Sequence, residues 1–189
     1  MLLFSCSSDD SDNETPPPTP CPKNTLCDTR DNQQYKTVTI GNQTWMAENL
    51  NLNTNTADST SYRCYDDQMA NCETDGGLYA WNVAKVACPE GWRLPSRTDF
   101  RKLLDELGGE DEAVDKLLVG GSSGFDAIIT GVWDEEFINR GTETNFWSSD
   151  EADNRDAIKL GFSTNTTNRV FINDTQKTQG FCIRCLKNN

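Results

Sequence analysis

The chain has 189 residues, which is enough for one ordinary domain and a tail. Its 17 basic and 30 acidic residues give a net charge of −13, which argues against nucleic acid as a partner and against protein-charge docking on an anionic membrane. Eight cysteines occur without a single histidine, so histidine-based catalysis and the commonest zinc ligand are excluded, and disulfides in an oxidising compartment are favoured.

The N-terminal residues 1–6 form a short apolar run that ends in a serine and Cys6, and an acidic stretch follows. This pattern resembles the lipobox of bacterial lipoproteins, in a context typical of Bacteroidetes. We expect residues 1–6 to be the remnant of a lipoprotein signal peptide and Cys6 to carry the lipid. The run lacks the basic region and most of the apolar region of a working signal, so we expect the natural start to lie upstream or the signal to have been shortened.

Lipidation of Cys6 predicts a location in the cell envelope, at the surface of the outer membrane, with the lipid anchor as the chain's membrane contact. Residues 7–20 have no apolar periodicity and contain four prolines, which favours an extended spacer. We predict that residues 7–34 form a disordered tether that includes a short loop closed by a Cys21–Cys27 disulfide.

The folded part is predicted to begin at Tyr35. Residues 35–40 alternate and are rich in β-formers, Gly41-Asn42 is a hairpin signal, and residues 43–46 return as a second strand. An Asn- and Thr-rich loop at 51–61 follows. Beyond it, a second local disulfide is predicted between Cys64 and Cys72.

Two main helices are predicted in the middle of the chain. The first covers residues 78–87 and has a broad apolar face. The second begins at Ser96, which forms a capping-box pattern with Asp99, and its apolar residues follow the helical period up to Gly108-Gly109. A shorter helix is expected over residues 111–118.

The remainder of the chain reads as short strands separated by turn residues. The predicted strands are 125–129, 131–133, 137–138, 145–148, 157–162, 169–172 and 181–186. Helices followed by several short strands indicate an α+β fold, and we expect its first and last strands to pair.

Five sequence motifs resemble those of the Fibrobacter succinogenes major paralogous domain, in the same order. They are 38–50 (VTIGNQTWMAENL), 77–81 (GLYAW), 88–96 (CPEGWRLPS), 146–149 (FWSS) and 180–185 (GFCIRC). The resemblance places this domain at 35–187. It implies a C-type-lectin-like α+β fold with two main helices, short antiparallel strands and long loops, and it implies an envelope setting without fixing an activity.

The same resemblance implies a disulfide between Cys88 and Cys185, across a long loop. Cys182 is then left over. It could pair with Cys88 instead, one of the local pairs could be different, or its thiol could stay free.

Other motifs that could carry chemistry have ordinary structural interpretations. Cys182 and Cys185 are spaced as CxxC, but on an alternating strand they would face opposite sides, which disfavours a redox or metal role. The acidic runs 110–112 and 134–136 are expected at a helix N-terminus and in a turn. Asn173-Asp174 resembles part of a lectin calcium motif whose second element is absent, and we expect a plain turn there.

Tryptophan is the residue type best suited to stacking on sugars. We expect Trp81, Trp92 and Trp147 in the core, whereas Trp45 and Trp133 could take either role. The sequence thus predicts no catalytic residue, no metal ligand and no cofactor.

The function we expect is that of a non-catalytic cell-surface module that binds a glycan or a surface protein. Its specificity would come from the loop at 51–76 and the turns between 120 and 180. The alternative is a structural or assembly subunit of the envelope or of a surface appendage. An enzyme related to the formylglycine-generating oxidases is the third hypothesis, although their cysteine motif cannot be placed in this chain.

Overall fold

The computed structural model describes residues 20–53, 61–165 and 168–188. Cys6 and the predicted signal remnant 1–6 lie outside these ranges, as do residues 7–19 of the predicted tether and most of the loop at 51–61. Within the described ranges, no helix combines the length and the apolar character needed to cross a bilayer. Helices and small antiparallel sheets are mixed, which confirms the α+β class.

Most of the described strands and helices are short. In chain order, the strands are β1 (Thr25–Cys27), β2 (Gln34–Ile40), β3 (Gln43–Met46), β4 (Tyr62–Arg63), β5 (Leu78–Tyr79), β6 (Trp92–Arg93), β7 (Val132–Asp134), β8 (Glu136–Ile138), β9 (Glu143–Glu151), β10 (Asp156–Ser163), β11 (Arg169–Gln176) and β12 (Leu186–Lys187). The helices are α1 (Met69–Asp75), α2 (Trp81–Ala87), α3 (Arg97–Glu106) and α4 (Glu110–Leu117), with a 3-10 turn at Tyr65–Asp67.

A five-stranded sheet in the order β1-β2-β3-β12-β6 holds the two ends of the domain together. The predicted hairpin is confirmed, and Gly41 at its turn has a φ of +55°, which suits glycine. The prediction that the last strand pairs with the first strand of this hairpin was wrong, since β12 pairs with β3 and β6. The physical reason is that β1 already occupies the other edge of β2.

The sheet begins before the predicted domain boundary at Tyr35, because β1 pairs with β2 over its whole length. Beyond β1, the buried Asp28 binds Arg30 at 2.6 Å, and the same guanidinium donates to the carbonyl of Ala87 at 2.7 Å. The prediction that residues 7–34 are a disordered tether is therefore wrong from β1 onward. Those residues are fixed by ladder hydrogen bonds and by this ion pair.

The helix predictions are confirmed for α3 and α4 and corrected elsewhere. Ser96 accepts a hydrogen bond from the Asp99 amide, and the Asp99 carboxylate accepts one from the Ser96 amide, which is the predicted capping box. The helix predicted over 78–87 begins only at Trp81, because β5 pairs with β4. Helix α1 lies where a loop was predicted; it begins inside the ring closed by Cys64–Cys72 and continues to Asp75.

The second sheet consists of β9, β10 and β11, with β10 in the middle. The predicted strands 145–148, 157–162 and 169–172 fall inside these three strands. The segment 125–129 is not a strand and makes one isolated bridge. The segment 181–186 ends in β12, but its earlier residues bond to several different neighbours in place of one partner strand.

The three predicted disulfides are present, namely Cys21–Cys27, Cys64–Cys72 and Cys88–Cys185. The last spans 97 positions of the chain, and the loop-entropy model assigns such a bridge about 3–5 kcal/mol of stability. Cys182 keeps a free, buried thiol, which decides between the three alternatives left by the sequence. Burial raises the pKa of this thiol to about 11.

Arg184 is a cation with no exposed surface. Its guanidinium donates to Asn49 Oδ1 at 2.6 Å and to the backbone carbonyls of Met46, Phe125 and Asp126. Burial lowers the pKa of Arg184 to about 10, so the side chain is still charged at neutral pH. Neutral acceptors thus replace the water that the charge has lost.

Replacement of Arg184 by methionine keeps most of the side chain's length and removes every donor. We expect Arg184→Met to lower the free energy of unfolding by about 3–5 kcal/mol, because buried carbonyls lose their partner. Chemical denaturation measures this loss. The control is Arg101→Met on the exposed face of α3, expected to stay within about 0.5 kcal/mol of wild type, and equal losses for the two variants would contradict the role of Arg184.

Asp99 should make the free energy of unfolding depend on pH in the acidic range. Burial alone would raise the pKa of Asp99, but hydrogen bonds from Arg93 and Ser96 outweigh it and lower the pKa from 3.8 to about 2. The folded chain therefore binds this proton less readily than the unfolded chain, and the stabilisation is present above the unfolded pKa and lost as the pH falls through about 2.

We expect Asp99→Asn to cost about 1–2 kcal/mol at neutral pH, from the weakened cap and the lost ion pair. The difference from wild type should shrink as the pH falls from about 4 to about 2, since Asp99 is protonated first in the unfolded wild-type chain and then in the folded one. Urea denaturation across this pH range checks it. Asp105→Asn, at an exposed site on the same helix, is the control. A pH-independent difference for Asp99→Asn would contradict the assignment.

Candidate functional site

A surface cleft of about 550 Å³ lies where the start of α2 meets the end of β11 and the strands β7 and β9. We refer to it as the Trp81–Trp133 cleft. Its lining residues are Ser61, Ala80, Trp81, Asn82, Trp133, Glu151, Lys177 and Thr178. Its volume is within the usual range for small-ligand sites in proteins.

Trp81 forms a fixed inner wall of the cleft. It is the first residue of α2, and its indole N–H donates to the carbonyl of Ser148 at 2.7 Å. The side-chain ammonium groups of Lys85 and Lys177 lie 4.3 Å and 4.8 Å from the centre of its ring, a distance typical of cation–π contacts. Because Trp81 is buried, it supports the wall of the cleft, and little of its ring is available to contact a ligand.

Trp133 supplies the partly exposed aromatic wall of the cleft. The guanidinium of Arg63 lies over its ring at 4.5 Å. Its backbone pairs with that of Gly180 through two hydrogen bonds. A Cβ at position 180 would come within 3.1 Å of the Trp133 Cβ, so glycine allows this close approach. The ring is held in place from the backbone side and from one face.

Lys177 and Glu151 add one donor group and one acceptor group beside the aromatic wall. The ammonium of Lys177 lies 3.2 Å from Glu151 Oε1 and donates to the carbonyl of Asp153 at 2.6 Å. The backbone N–H of Trp81 donates to the Lys177 carbonyl at 3.1 Å, which ties the end of β11 to the start of α2. The cleft thus combines an apolar surface with positioned polar groups.

The remaining tryptophans lie outside this cleft. Trp45 and Trp147 are completely buried, and Trp92 is half-buried in β6. The prediction of a core position is confirmed for Trp81 and Trp147. Of the two undecided residues, Trp45 stacks on Phe100 in the core, whereas Trp133 reaches the surface.

The acidic runs occupy the predicted places, namely the first turn of α4 and the hairpin between β7 and β8. Asn173 and Asp174 do not form the predicted turn. They lie inside β11, exposed, and pair with Lys159 and Ile158 of β10, because the strand extends beyond the predicted 169–172. Across the described parts of the chain, no group of three or more metal-ligating side chains comes together.

The CxxC cysteines do not pair with each other. Cys185 is bonded to Cys88, and the Cys182 sulfur lies 3.3 Å from Thr130 Oγ1 and 3.4 Å from Asn49 Nδ2. The two sulfurs therefore belong to separate environments.

The sequence singled out both tryptophans of the cleft as residues able to stack on sugars, although Trp81 was expected in the core and Trp133 was left undecided, and it did not indicate the polar residues of the cleft. Lys177 and Thr178 follow β11 in a polar stretch that resembles many solvated turns, and Asn82 and Glu151 carry no distinguishing pattern. They meet only because three distant segments converge, and no local signal marks this.

A family model described as the Fibrobacter succinogenes major domain matches residues 38–187. No curated protein matches the chain, and no solved structure matches it. The matched range covers most of the sequence and runs from within β2 to the end of β12. It also contains the whole Trp81–Trp133 cleft. The chain therefore belongs to the Fibrobacter succinogenes major domain family.

Proposed function

We propose that this chain is a non-catalytic cell-surface module that binds a glycan in the Trp81–Trp133 cleft. The observation that supports this proposal best is that the partly exposed Trp133 lines the same cleft as Lys177 and Glu151, whose charged groups contact each other. A pyranose ring has an apolar face that suits an aromatic side chain and hydroxyls that both donate and accept. Such a cleft offers partners for each of these.

The charges in the cleft favour binding over glycoside hydrolysis. Hydrolysis ordinarily uses two carboxylates at a set separation across the scissile bond. Among the described lining residues, Glu151 supplies the carboxylate, and it is engaged with Lys177 at 3.2 Å. An acceptor and a donor held side by side can instead bridge neighbouring hydroxyl groups of a neutral sugar.

The proposed location is the outer face of the outer membrane, with a lipid on Cys6 as anchor. The disulfides of the folded part support an oxidising compartment such as the envelope. A C-type-lectin-like form of the α+β fold is part of this proposal. It is supported by the sheet that joins β12 to the N-terminal hairpin and by the irregular segment between α4 and β7.

An assembly role in the envelope is the second candidate, and β11 favours it. This strand has eight residues and forms the edge of its sheet, with β10 as its neighbour there. A long edge strand is a template on which a strand of another chain can pair.

The glycan proposal is tested with the unlipidated chain on a glycan array, followed by titration calorimetry with any retained sugar. We expect Trp133→Ala to weaken that binding by about tenfold or more, because the ligand loses its apolar wall. Trp92→Ala is the matched control, since Trp92 is also half-buried but lies outside the cleft.

Three results would count against this assignment. If the array retains no sugar, the glycan proposal fails for the sugars tested, and the assembly role becomes the favoured function. If Trp133→Ala binds as wild type does, the sugar binds elsewhere. If both variants lose binding together with stability in denaturation experiments, the loss reflects the fold and not the cleft.

A further inference from the structure

Three side chains of complementary chemistry share one face of the second sheet. In the β9–β10 ladder, Asn145 lies opposite Gly161, and Trp147 lies opposite Lys159. Because alternate residues of a strand point to the same side, Glu143 and Asn145 of β9 lie on the same face as Lys159 of β10. Lys159 is the diagonal neighbour of Asn145, within reach of a long side chain.

The three groups are in mutual contact. Lys159 Nζ donates to Asn145 Oδ1 at 2.9 Å, and it lies 3.6 Å from Glu143 Oε1. Asn145 Nδ2 donates to the same Glu143 oxygen at 2.8 Å. An amine, a carboxamide and a carboxylate therefore form a closed triangle, with the carboxylate in contact with both other groups.

Aromatic rings shield the lysine and the carboxamide of the triangle from water, whereas Glu143 is partly exposed. Lys159 is 7% exposed and Asn145 is 1% exposed. Lys159 Nζ lies 5.4 Å from the centre of the Phe171 ring and 5.2 Å from that of Phe181. Burial lowers the pKa of Lys159, although Glu143 opposes the shift. A desolvated lysine gives up its proton more readily and then becomes a nucleophile.

Gly161 makes room for this arrangement. A Cβ at position 161 would lie 2.8 Å from Asn145 Oδ1 and 2.6 Å from the Phe171 ring. Any larger residue would displace the carboxamide or the ring that covers it. The absence of a side chain at this position lets Lys159 reach Asn145 beneath Phe171.

We propose that Lys159 and Asn145 form an intramolecular isopeptide bond, promoted by Glu143. The Lys159 amine attacks the side-chain carbonyl carbon of Asn145, a new C–N bond forms, and the bond between that carbon and Nδ2 breaks. Nδ2 leaves as ammonia. No atom changes its oxidation state, so the reaction needs no oxidant or reductant and no further reactant.

Glu143 is placed to move the protons. The Lys159 ammonium gives one proton to the carboxylate, which frees the amine for attack, and the carboxyl group passes this proton to the departing Nδ2. The nitrogen of the new bond sheds a second proton, which leaves with the ammonia as ammonium. Glu143 Oε1 accepts a hydrogen bond from Asn145 Nδ2 at 2.8 Å and lies 3.6 Å from Lys159 Nζ, so it is adjacent to both nitrogens between which the proton moves.

The bond would staple β9 to β10 independently of the disulfides and would survive reducing conditions. It is a single self-modification of the folded chain, and it does not depend on glycan binding in the Trp81–Trp133 cleft. A covalent cross-link between neighbouring strands suits a chain that must resist pulling forces or proteolysis at a cell surface.

Intact-mass measurement of the purified, reduced full chain tests the proposal directly. We expect a mass lower by one ammonia than the sequence mass, and a branched tryptic peptide that joins the segments containing Lys159 and Asn145. A wild-type chain of full mass, with trypsin cleaving after Lys159 once the chain is denatured, would overturn the proposal. Loss of ammonia without the branched peptide would overturn it as well.

Variants then test the role of Glu143. Glu143→Gln keeps the size of the side chain but loses its capacity to accept a proton, so we expect full mass and no branched peptide. Glu136→Gln, at an exposed site on β8, is the matched control and should keep the loss of ammonia. A cross-link that persists in Glu143→Gln would remove Glu143 from the reaction. The wild-type measurement stands even if a variant fails to fold.

Discussion

The burial of Arg184 is the constraint on which the arrangement of the domain depends. A guanidinium removed from water must find acceptors for its donors, since an unsatisfied buried charge costs several kcal/mol, about as much as a small domain's whole stability. In this domain the acceptors are Asn49 and the carbonyls of Met46, Phe125 and Asp126. These groups come from the end of the hairpin and the residues just after it, and from the irregular segment after α4. One side chain thus fixes how both lie against the end of the chain.

The C-terminal segment that contains Arg184, residues 180–186, passes through the middle of the molecule. Its backbone bonds in turn to β7 at Gly180, to β5 at Phe181, to β9 at Cys182 and to the end of β3 at Cys185. The Cys185 sulfur closes the long disulfide one residue beyond Arg184. The candidate cleft depends on the same segment, because the pairing of Gly180 with Trp133 positions the aromatic wall. Stability and the candidate site therefore share one structural element.

The two faces of the second sheet bury side chains of different chemistry, apolar on one face and polar on the other. On one face, Phe146, Leu160 and Phe162 pack into the core. On the other, Asn145 and Lys159 are buried as well, so polar groups had to meet each other beneath aromatic rings. A buried lysine is costly unless it is paired, which explains why its partners lie on the neighbouring strand within hydrogen-bonding distance. The composition and spacing of these strands did not indicate the contact.

Local interactions were readable from the sequence. The hairpin at Gly41, the capping box at Ser96 and the α+β class follow from turn chemistry, helical period and alternation, all of which act within a few residues. The family resemblance implied the Cys88–Cys185 bridge. Only the tertiary structure decided that β12 lies beside β3, that Trp133 and Lys177 meet in a cleft, and that Arg184 is buried. The reason is that each of these depends on contacts between segments far apart in the chain, for which local propensity carries no information.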